Sequence, residues 1–343
     1  MLKAGKLDSD LLKKLVFEKI TYRNDDVKVR PGIGEDCAVI DFGENECIMS
    51  TDPITAAVND IGRLAIHITC NDIASNGVQP LGIMLAVMLP EGTTEDDVAH
   101  IMGQAAETAA ALNVEIIGGH TEITPAVKQP VIVSTAIGKT PAGTSQSGDN
   151  MEQGDYIMMT KSVGLEGTGI IACDYEERLS RVMNKVEIAK AKSFLNLVSV
   201  VKEGVAAGCV GTHGMHDITE GGILGAVWEM CQISHKGAQI WLEEIPMEPE
   251  TGKVCDMFGI NPLRLISSGS MVIIVPSAKK EKMIAAMNEA GVPCSIIGRI
   301  EEEAYGVKLM KGTVIEEDTV RGFEKISEVD PPSADEIYKV VGK

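Results

Sequence analysis

This chain of 343 residues carries 50 acidic and 31 basic side chains, which gives a formal net charge of −19 at pH 7. Such a charge disfavours nucleic acids and anionic membranes as partners, and the 3% of aromatic residues offers few rings on which bases could stack. A phosphate ligand would also be repelled unless Mg²⁺ came with it. The length exceeds what one hydrophobic core usually serves, so we expect two domains.

The cellular compartment is indicated by two features of the sequence. It contains no run of about 18 apolar residues and no hydrophobic signal core near its start, so we expect a cytoplasmic protein. The eight cysteines are scattered without the spacing of a zinc site or a redox pair, which favours reduced thiols.

The first half of the chain alternates strand and helix signals. Residues 8–20 have cap residues followed by apolar positions at helical spacing, so residues 1–30 form a helical lead before the first domain, at 31–145. Within that domain we expect strands at 37–40, 47–49, 81–89, 114–117 and 131–137, and helices at 61–76 and after the capping residues 94–97. This pattern predicts a mixed α+β domain.

A polar stretch rich in Gly, Ser and Asn at residues 140–154 is the best domain boundary. Beyond it we expect strands at 156–160, 271–275 and 294–297, and helical segments at 185–207, 222–231 and 278–290. The second domain is therefore an α/β domain at 154–328, with a tail at 329–343. Two domains of similar size favour a site at their interface.

Four short acidic motifs stand out in the first third of the chain. They are Gly-Ile-Gly-Glu-Asp at 32–36, Ser-Thr-Asp at 50–52, Asn-Asp at 71–72 and Gly-Gly-His-Thr-Glu at 118–122. Most of them follow or interrupt apolar runs, where a strand or helix passes into a loop and a side chain can reach a ligand. Clustered carboxylates indicate a hard cation, which makes Mg-nucleotide the hypothesis to test.

The second half contains glycine motifs that admit simpler interpretations. The loop at 162–169 follows a predicted strand and opens a helix, so it could aim backbone N–H groups at phosphate, although an ordinary glycine turn explains it equally well. In His-Asp-Ile-Thr-Glu-Gly-Gly at 216–222, Asp217 and Thr219 could be a turn residue and a helix cap. A P-loop at 133–140 is rejected because Val133 occupies the position of its first glycine.

Taken in one order, these motifs and Asn-Pro-Leu-Arg-Leu-Ile-Ser-Ser-Gly-Ser at 261–270 resemble the aminoimidazole-ribonucleotide (AIR) synthetase superfamily. The resemblance spans residues 30 to about 300 and is closest to the hydrogenase-maturation HypE branch. It implies a homodimer in which the mixed sheets of two N-terminal domains form a shared β-barrel. It also implies a C-terminal α/β domain, with ATP bound between the two domains.

The resemblance assigns roles to individual residues by motif position. It implies that Lys161 and the 164–169 loop face the triphosphate. The implied Mg²⁺ ligands are Asp36, Asp52, Asp72 and Asp217, and the implied ATP contacts are Gly34, Gly118, Gly119, Thr121, Gly164, Gly167 and Thr168.

Two departures from the family pattern bear on activity. Relatives often have an acidic metal ligand where this chain has His120, so coordination shifts to Glu122, is lost, or His120 acts as a base. The HypE branch carries a C-terminal cysteine as the site of its chemistry, whereas this sequence ends in residues 335–343 without cysteine, which weakens the hypothesis of cyanide-ligand synthesis.

We therefore expect an ATP- and Mg²⁺-dependent enzyme that phosphorylates an oxygen of a small substrate or of an amide-like group. The substrate would be a small molecule or a group carried by a protein. One alternative is a non-catalytic nucleotide-binding partner that acts as a dimer. The other is a hydrogenase-maturation factor of the HypE type.

Overall fold

The computed structural model describes residues 7, 9–55, 58–146, 148–314, 320–332 and 334–341. Its first half contains α1 (Ser9–Leu15), β1 (Val27–Val29), β2 (Ala38–Asp41), β3 (Asn45–Ile54), α2 (Ile61–Ser75), β4 (Pro80–Leu89), α3 (Glu95–Ala111), β5 (Glu115–Ile123) and β6 (Val131–Pro141). The start of the predicted helical lead and the end of the predicted tail lie outside the described residues.

The second half begins after residues 142–155, which connect β6 to β7 and overlap the predicted boundary at 140–154. It contains β7 (Tyr156–Thr160), α4 (Leu165–Asp174), α5 (Glu176–Leu179), α6 (Lys185–Ser193), α7 (Val201–Val210), β8 (Gly214–Asp217), α8 (Gly222–Ser234), β9 (Lys236–Trp241), α9 (Pro249–Phe258), β10 (Met271–Val275), α10 (Lys280–Ala290), β11 (Cys294–Glu302), β12 (Val307–Val314), β13 (Val320–Glu328) and α11 (Tyr338–Val341).

Six strands of the first half form one mixed sheet in the order β1-β2-β3-β6-β4-β5. Its neighbours are antiparallel except for β4 and β5, which run parallel. In the described residues of one chain this sheet has two edges and does not close into a barrel. The helices α2 and α3 cover one face, and a capping box between Thr94 and Asp97 fixes the start of α3.

The other face of this sheet, which we call the open face, carries no helix among the described residues. Its cross-strand rows include Thr51, Thr135 and Met84, then Pro53, Val133, Ala86 and His120. Leu81 and Met84 on β4 are 57% and 48% exposed. A sheet face that exposes large apolar side chains in this way is usually covered by another surface.

The second sheet has seven strands in the order β13-β12-β9-β11-β7-β10-β8, and its central strands β7 and β10 are buried at every residue. Continuous apolar runs such as Ile157-Met158-Met159 explain this burial, because a strand covered on both faces needs no alternation of polar and apolar residues.

Among the described residues, no single helix is long and apolar enough to cross a bilayer. Only the bent pair Lys185–Leu197 and Val201–Val210 meets that test of length and composition when its two helices are taken together.

The two halves share a hydrophobic core along the contact between α2 and α7. Ile73 of α2, Val201 of α7 and Met283 of α10 belong to the same buried cluster. Asn71 fixes this contact through its side chain, which donates to the Val198 carbonyl and accepts from the Val200 N–H, both at 2.8 Å. The halves are therefore held against each other by buried polar and apolar contacts.

The close approach of α7 to α2 depends on Gly204. A Cβ added there would lie 2.4 Å from the Ala74 carbonyl oxygen, so we expect Gly204→Ala to destabilise the chain by about 1–3 kcal/mol. Gly103 in α3 has open space around its Cα, so Gly103→Ala is the matched control and should gain up to about 1 kcal/mol of helix propensity. Urea unfolding of both variants tests this; equal effects would contradict it.

Several predicted boundaries were wrong. The motifs at 50–52 and 118–122 lie inside β3 and β5, and Asp72 lies inside α2, so they do not mark ends of elements. The predicted helical region 185–207 is interrupted by a 3₁₀ turn at Phe194–Leu197 and by residues 198–200, whose backbone bonds Asn71 instead. Strand pairing within the first half keeps the motifs at 50–52 and 118–122 inside strands, and the contact of Asn71 with the second half interrupts the helix at 198–200.

Candidate metal centre

The two halves bring four aspartates together at their interface. Asp36 lies in the loop before β2, Asp52 on β3, Asp72 on α2 and Asp217 at the end of β8. Burial raises the pKa of Asp72 well above its ordinary value, and the charges of Asp52, Asp217 and Asp36 raise it further. Each of these carboxylates is therefore close enough to oppose ionisation of Asp72.

Short contacts fix the position of this group, which we call the aspartate cluster (Asp36, Asp52, Asp72, Asp217). The Ser50 hydroxyl donates to Asp72 Oδ2 at 2.5 Å, and Ser75 Oγ accepts from the Asp217 N–H at 3.1 Å. Cys37 is buried beside the cluster: burial and then the charges of all four aspartates raise the pKa of its thiol well above the ordinary value. Cys37 is thus an unreactive thiol that packs beside the cluster.

His216 is the residue of this site that motif-based assignment missed. It is 5% exposed and precedes Asp217 on β8. Its Nδ1 lies 3.4 Å from Asp36 Oδ2 and 3.8 Å from Asp217 Oδ1, while its Nε2 lies 3.6 Å from Glu229 Oε2. Burial alone would lower the pKa of His216, but the carboxylates around it outweigh burial and raise the pKa well above the ordinary value.

The chemistry of these side chains fits a divalent cation. Among the described residues, no lysine or arginine lies within ion-pair distance of Asp52, Asp72 or Asp217, and Asp217 Oδ2 is buried without a hydrogen-bond partner. Ligand atoms of Asp36, His216 and Asp217 all lie within 4.8 Å of one another. Carboxylate oxygens are the ligands that Mg²⁺ prefers, so a cation here would relieve the mutual repulsion.

The predicted nucleotide contacts of the second half lie close to packed side chains. Gly164 begins α4 with a φ of +69°, and its N–H donates to Ser267 Oγ. Thr168 is fully buried and bonds Thr251 Oγ1 at 3.1 Å, and a Cβ on Gly167 would lie 2.5 Å from Leu265. In the first half, Gly34 packs against Ile233 and Glu229 of α8, which places Asp36 next to β8.

The motif at 118–122 lies apart from the aspartate cluster in one chain. Gly119 and Asp52 share a cross-strand row through Leu85 and Ser134, three strand spacings or about 14 Å apart. His120 belongs to the next row, so it lies on the open face, 71% exposed and 3.4 Å from Glu122, whereas Asp52 faces α2. The structure therefore does not bring His120 to the cluster within one subunit.

The strand position also explains the glycines of this motif. Gly119 has a φ of +148°, and a Cβ there would lie 1.9 Å from the Leu85 carbonyl oxygen. Pairing of β5 with β4 thus requires glycine at this position, whatever else it contacts.

Lys161 uses its ammonium group inside the protein. Its Nζ donates to Glu203 Oε1 at 2.5 Å, to the Ser199 carbonyl at 2.7 Å and to the Gly269 carbonyl at 2.6 Å. These partners account for all three donors of the group. The arrangement favours a structural role for Lys161 over contact with a phosphate.

Glu166 is a second functional candidate that sequence reasoning missed. It lies in the first turn of α4, is 6% exposed, and its Oε2 has no hydrogen-bond partner among the described residues. Burial, then the charges of Asp335 and Asp217, raise the pKa of Glu166 to about 7 against the opposing effect of the nearby Ser268. The sequence around Glu166 contains no motif that would indicate that its side chain is buried.

This raised pKa predicts a pH-dependent effect of Glu166→Gln. The folded chain retains a proton that the unfolded chain loses near 4.5, so stability falls as pH rises from about 4.5 to about 7. The variant should avoid this loss and be more stable than wild type above pH 7, by up to about 3 kcal/mol. Urea unfolding at about pH 4 and pH 8 measures it, with the exposed Glu177→Gln as control. A difference that does not change with pH would contradict the prediction.

Comparisons with known proteins agree with this fold. The AIR synthase related N-terminal domain model matches residues 34–140, and the C-terminal domain model matches residues 152–309. A putative hydrogenase expression/formation protein of Methanocaldococcus jannaschii is 30% identical over 98% of this chain and 97% of its own length. A carbamoyl dehydratase HypE of Rhizobium leguminosarum bv. viciae is 29% identical over 81% of this chain and 80% of its own length.

The fold is shared with a solved structure as well. The crystal structure of the hydrogenase maturation protein HypE in complex with ATP superposes with a TM-score of 0.68 at 22% identity, covering 96% of each chain. The chain described here belongs to the AIR synthase related family. Within that family it falls in the HypE branch, which confirms the resemblance found in its motifs.

Proposed function

We propose that this chain is an ATP- and Mg²⁺-dependent enzyme that phosphorylates an oxygen of a small substrate or of a protein-borne, amide-like group. The aspartate cluster carries the proposal, because four carboxylates from two halves of the chain converge where no lysine or arginine among the described residues neutralises Asp52, Asp72 or Asp217. The ATP complex of a HypE protein with this fold supports a nucleotide as the ligand that brings the metal.

The residues of the chain would act by binding and positioning. Asp36, Asp52, Asp72 and Asp217 would hold the metal, which when bound would neutralise phosphate charge and polarise the transferred group. The Gly164 loop at the start of α4 would line the phosphate side, since the charge of Asp217 acts on Glu166 in the first turn of that helix. The domain limits 31–145 and 154–328 are part of this proposal.

A homodimer completes the proposal. The open face is apolar at Leu81 and Met84 and ends at the exposed edge strand β5, so a second copy of the same face could cover it and close the shared barrel that the family resemblance implies. His120 and Glu122 would then lie at the subunit interface. Any catalytic role of His120 would depend on the partner subunit.

This dimer can be tested by placing a charge on the open face. Met84→Glu should raise the dimer dissociation constant at least tenfold, because it buries an unpaired carboxylate in the interface. Ile326→Glu on β13, where Ile326 is 46% exposed, is the matched control and should leave the dimer intact. Sedimentation equilibrium measures both. A wild-type chain that is monomeric at micromolar concentration would refute the shared barrel.

The enzymatic proposal is tested by calorimetry and by product formation. Titration with a non-hydrolysable ATP analogue should show binding that requires Mg²⁺, and incubation with MgATP and fractionated metabolite pools should release ADP in at least one pool. Tight Mg-dependent binding without turnover in any pool would favour a non-catalytic nucleotide-binding partner. Absence of Mg-dependent binding would refute both.

Hydrogenase maturation proper is the second candidate, favoured by the names of the relatives in the HypE branch. It predicts a stable complex with a carbamoyl-transfer protein and consumption of ATP only when that protein carries a carbamoyl group. Co-elution on gel filtration, followed by ATP consumption with and without the carbamoyl donor, separates this candidate from a small-molecule kinase.

A further inference from the structure

His216 has the environment of a metal-binding histidine. It is 5% exposed, and its Nδ1 has no hydrogen-bond partner among the described residues although it is fully buried. That nitrogen faces the carboxylates of Asp36, at 3.4 Å, and Asp217, at 3.8 Å. Buried polar atoms normally have a bonding partner, and this nitrogen has none. A cation bound to Nδ1 would lie between it and the carboxylates of Asp36 and Asp217.

The other ring nitrogen, Nε2, faces the carboxylate of Glu229. His216 Nε2 lies 3.6 Å from Glu229 Oε2 on α8, a helix that packs against the loop of Gly34. A carboxylate beside one ring nitrogen favours keeping the proton on that nitrogen, so a cation that displaces the proton of the other nitrogen meets its lone pair. Glu229 is therefore a positioning residue that turns Nδ1 toward Asp36 and Asp217.

The spacing of the three ligand atoms also suits one cation. Metal–ligand bonds of about 2.1 Å place neighbouring ligand atoms about 3.0–3.5 Å apart. The separation of 3.4 Å between His216 Nδ1 and Asp36 Oδ2 falls within this range, and that to Asp217 is slightly longer. Asp217 Oδ2 is itself buried and without a hydrogen-bond partner. Small side-chain adjustments would bring all three onto an ion.

We propose that Asp36, His216 and Asp217 form a mixed nitrogen and oxygen site for a divalent transition-metal ion such as Mn²⁺. An imidazole ligand favours transition metals over Mg²⁺, which prefers oxygen alone. The inference rests on the proposed function in so far as Asp36 and Asp217 belong to the aspartate cluster. It adds a ligand and a metal class to that cluster, whose remaining members, Asp52 and Asp72, offer only oxygen.

The site is tested first on the unaltered protein with Mn²⁺ alone. Pulsed EPR of the Mn²⁺-loaded chain should show a ¹⁴N coupling, which should change to a ¹⁵N coupling when only the histidines are ¹⁵N-labelled. This experiment requires no substitution, so misfolding cannot obscure it. Absence of a histidine nitrogen coupling would overturn the proposal and would show that His216 serves only as a neutralising partner of the carboxylates.

Variants then identify the histidine. His216→Gln should abolish the coupling and weaken Mn²⁺ binding about 10- to 100-fold, and Glu229→Gln should keep the coupling with a smaller loss of affinity. His100→Gln, on the exposed side of α3, is the matched control and should change neither quantity. A coupling that survives in folded His216→Gln would overturn the assignment.

Nucleotide binding separates this inference from the proposed function. If Mn²⁺ shows no histidine coupling while the Mg²⁺–ATP analogue binds, the mixed site is refuted and the proposed function stands. If the coupling is present while no nucleotide binds, the proposed function is refuted and the mixed site stands.

Discussion

Asp72→Asn is expected to stabilise the metal-free chain while it lowers the affinity for Mg²⁺–nucleotide by about two orders of magnitude. Asp72 is 8% exposed, and its neighbours Asp52, Asp217 and Asp36 oppose its charge, which the raised pKa records. Because a raised carboxyl pKa means stability lost as pH rises through it, removing the charge should recover stability at neutral pH. We expect the free energy of unfolding to rise by about 0.5–2 kcal/mol, the usual gain from a single stabilising substitution.

The loss of binding has the same origin as the gain in stability. An asparagine can still accept the Ser50 hydroxyl and donate to Asp52, so the local geometry should persist. The metal, however, loses one charged ligand, worth about 2–3 kcal/mol. Thermal unfolding without metal and calorimetry with the ATP analogue measure the two effects.

An exposed aspartate supplies the control. Asp96→Asn in the first turn of α3 removes the same charge far from the cluster, and should change stability by less than about 0.5 kcal/mol without affecting nucleotide binding. An Asp72→Asn variant that is less stable than wild type and binds nucleotide normally would show that Asp72 is a structural residue.

Lys161→Met should cost about 3–5 kcal/mol of folding free energy, because it leaves Glu203 as a buried carboxylate without its cation. The Glu203 side chain is 1% exposed, and within the described part of the chain its one other hydrogen bond comes from the Thr160 hydroxyl at 3.3 Å. The carbonyls of Ser199 and Gly269 would also lose their donor. Urea unfolding measures the loss, with exposed Lys202→Met as the matched control.

Nucleotide binding decides between the two roles of Lys161. If the ammonium is structural, folded Lys161→Met should bind the ATP analogue with nearly wild-type affinity. The double variant with Glu203→Gln should recover much of the stability, since no charge then remains buried. A tenfold loss of nucleotide affinity with a stability change below about 1 kcal/mol would instead establish Lys161 as a phosphate contact.

The sequence predicted elements best where hydrophobic pattern alone decides them. Strands 156–160 and 271–275 were predicted at the observed bounds, because buried runs between turn residues leave little choice. The predicted strand at 114–117 ended before Gly118 and Gly119. In the structure β5 continues through both glycines to Ile123, because it pairs with β4 over that length. The pattern of one segment cannot show a partner that lies elsewhere in the chain.

The same reasoning applies to the candidate site. Order and spacing of the motifs were enough to propose the four aspartates, and the structure brings them together. They could not show that Glu203 forms an ion pair with Lys161 or that Glu229 lies beside His216 Nε2. Both glutamates lie on helices, in segments that carry no recognisable motif. The motifs also placed His120 near the cluster, although strand register puts it on the opposite face of the sheet.

The side chain of Asn71 has a consequence for how ligands reach the site. It joins α2 to the backbone at Val198 and Val200, one residue before Asp72. A hinge that opened the two halves would break these bonds and expose the shared core, so we expect Asp72 and Asp217 to keep nearly the same separation when a ligand binds. The cation site is thus preorganised, little of the binding energy is spent on closing the molecule, and entry depends on surface loops rather than on domain motion.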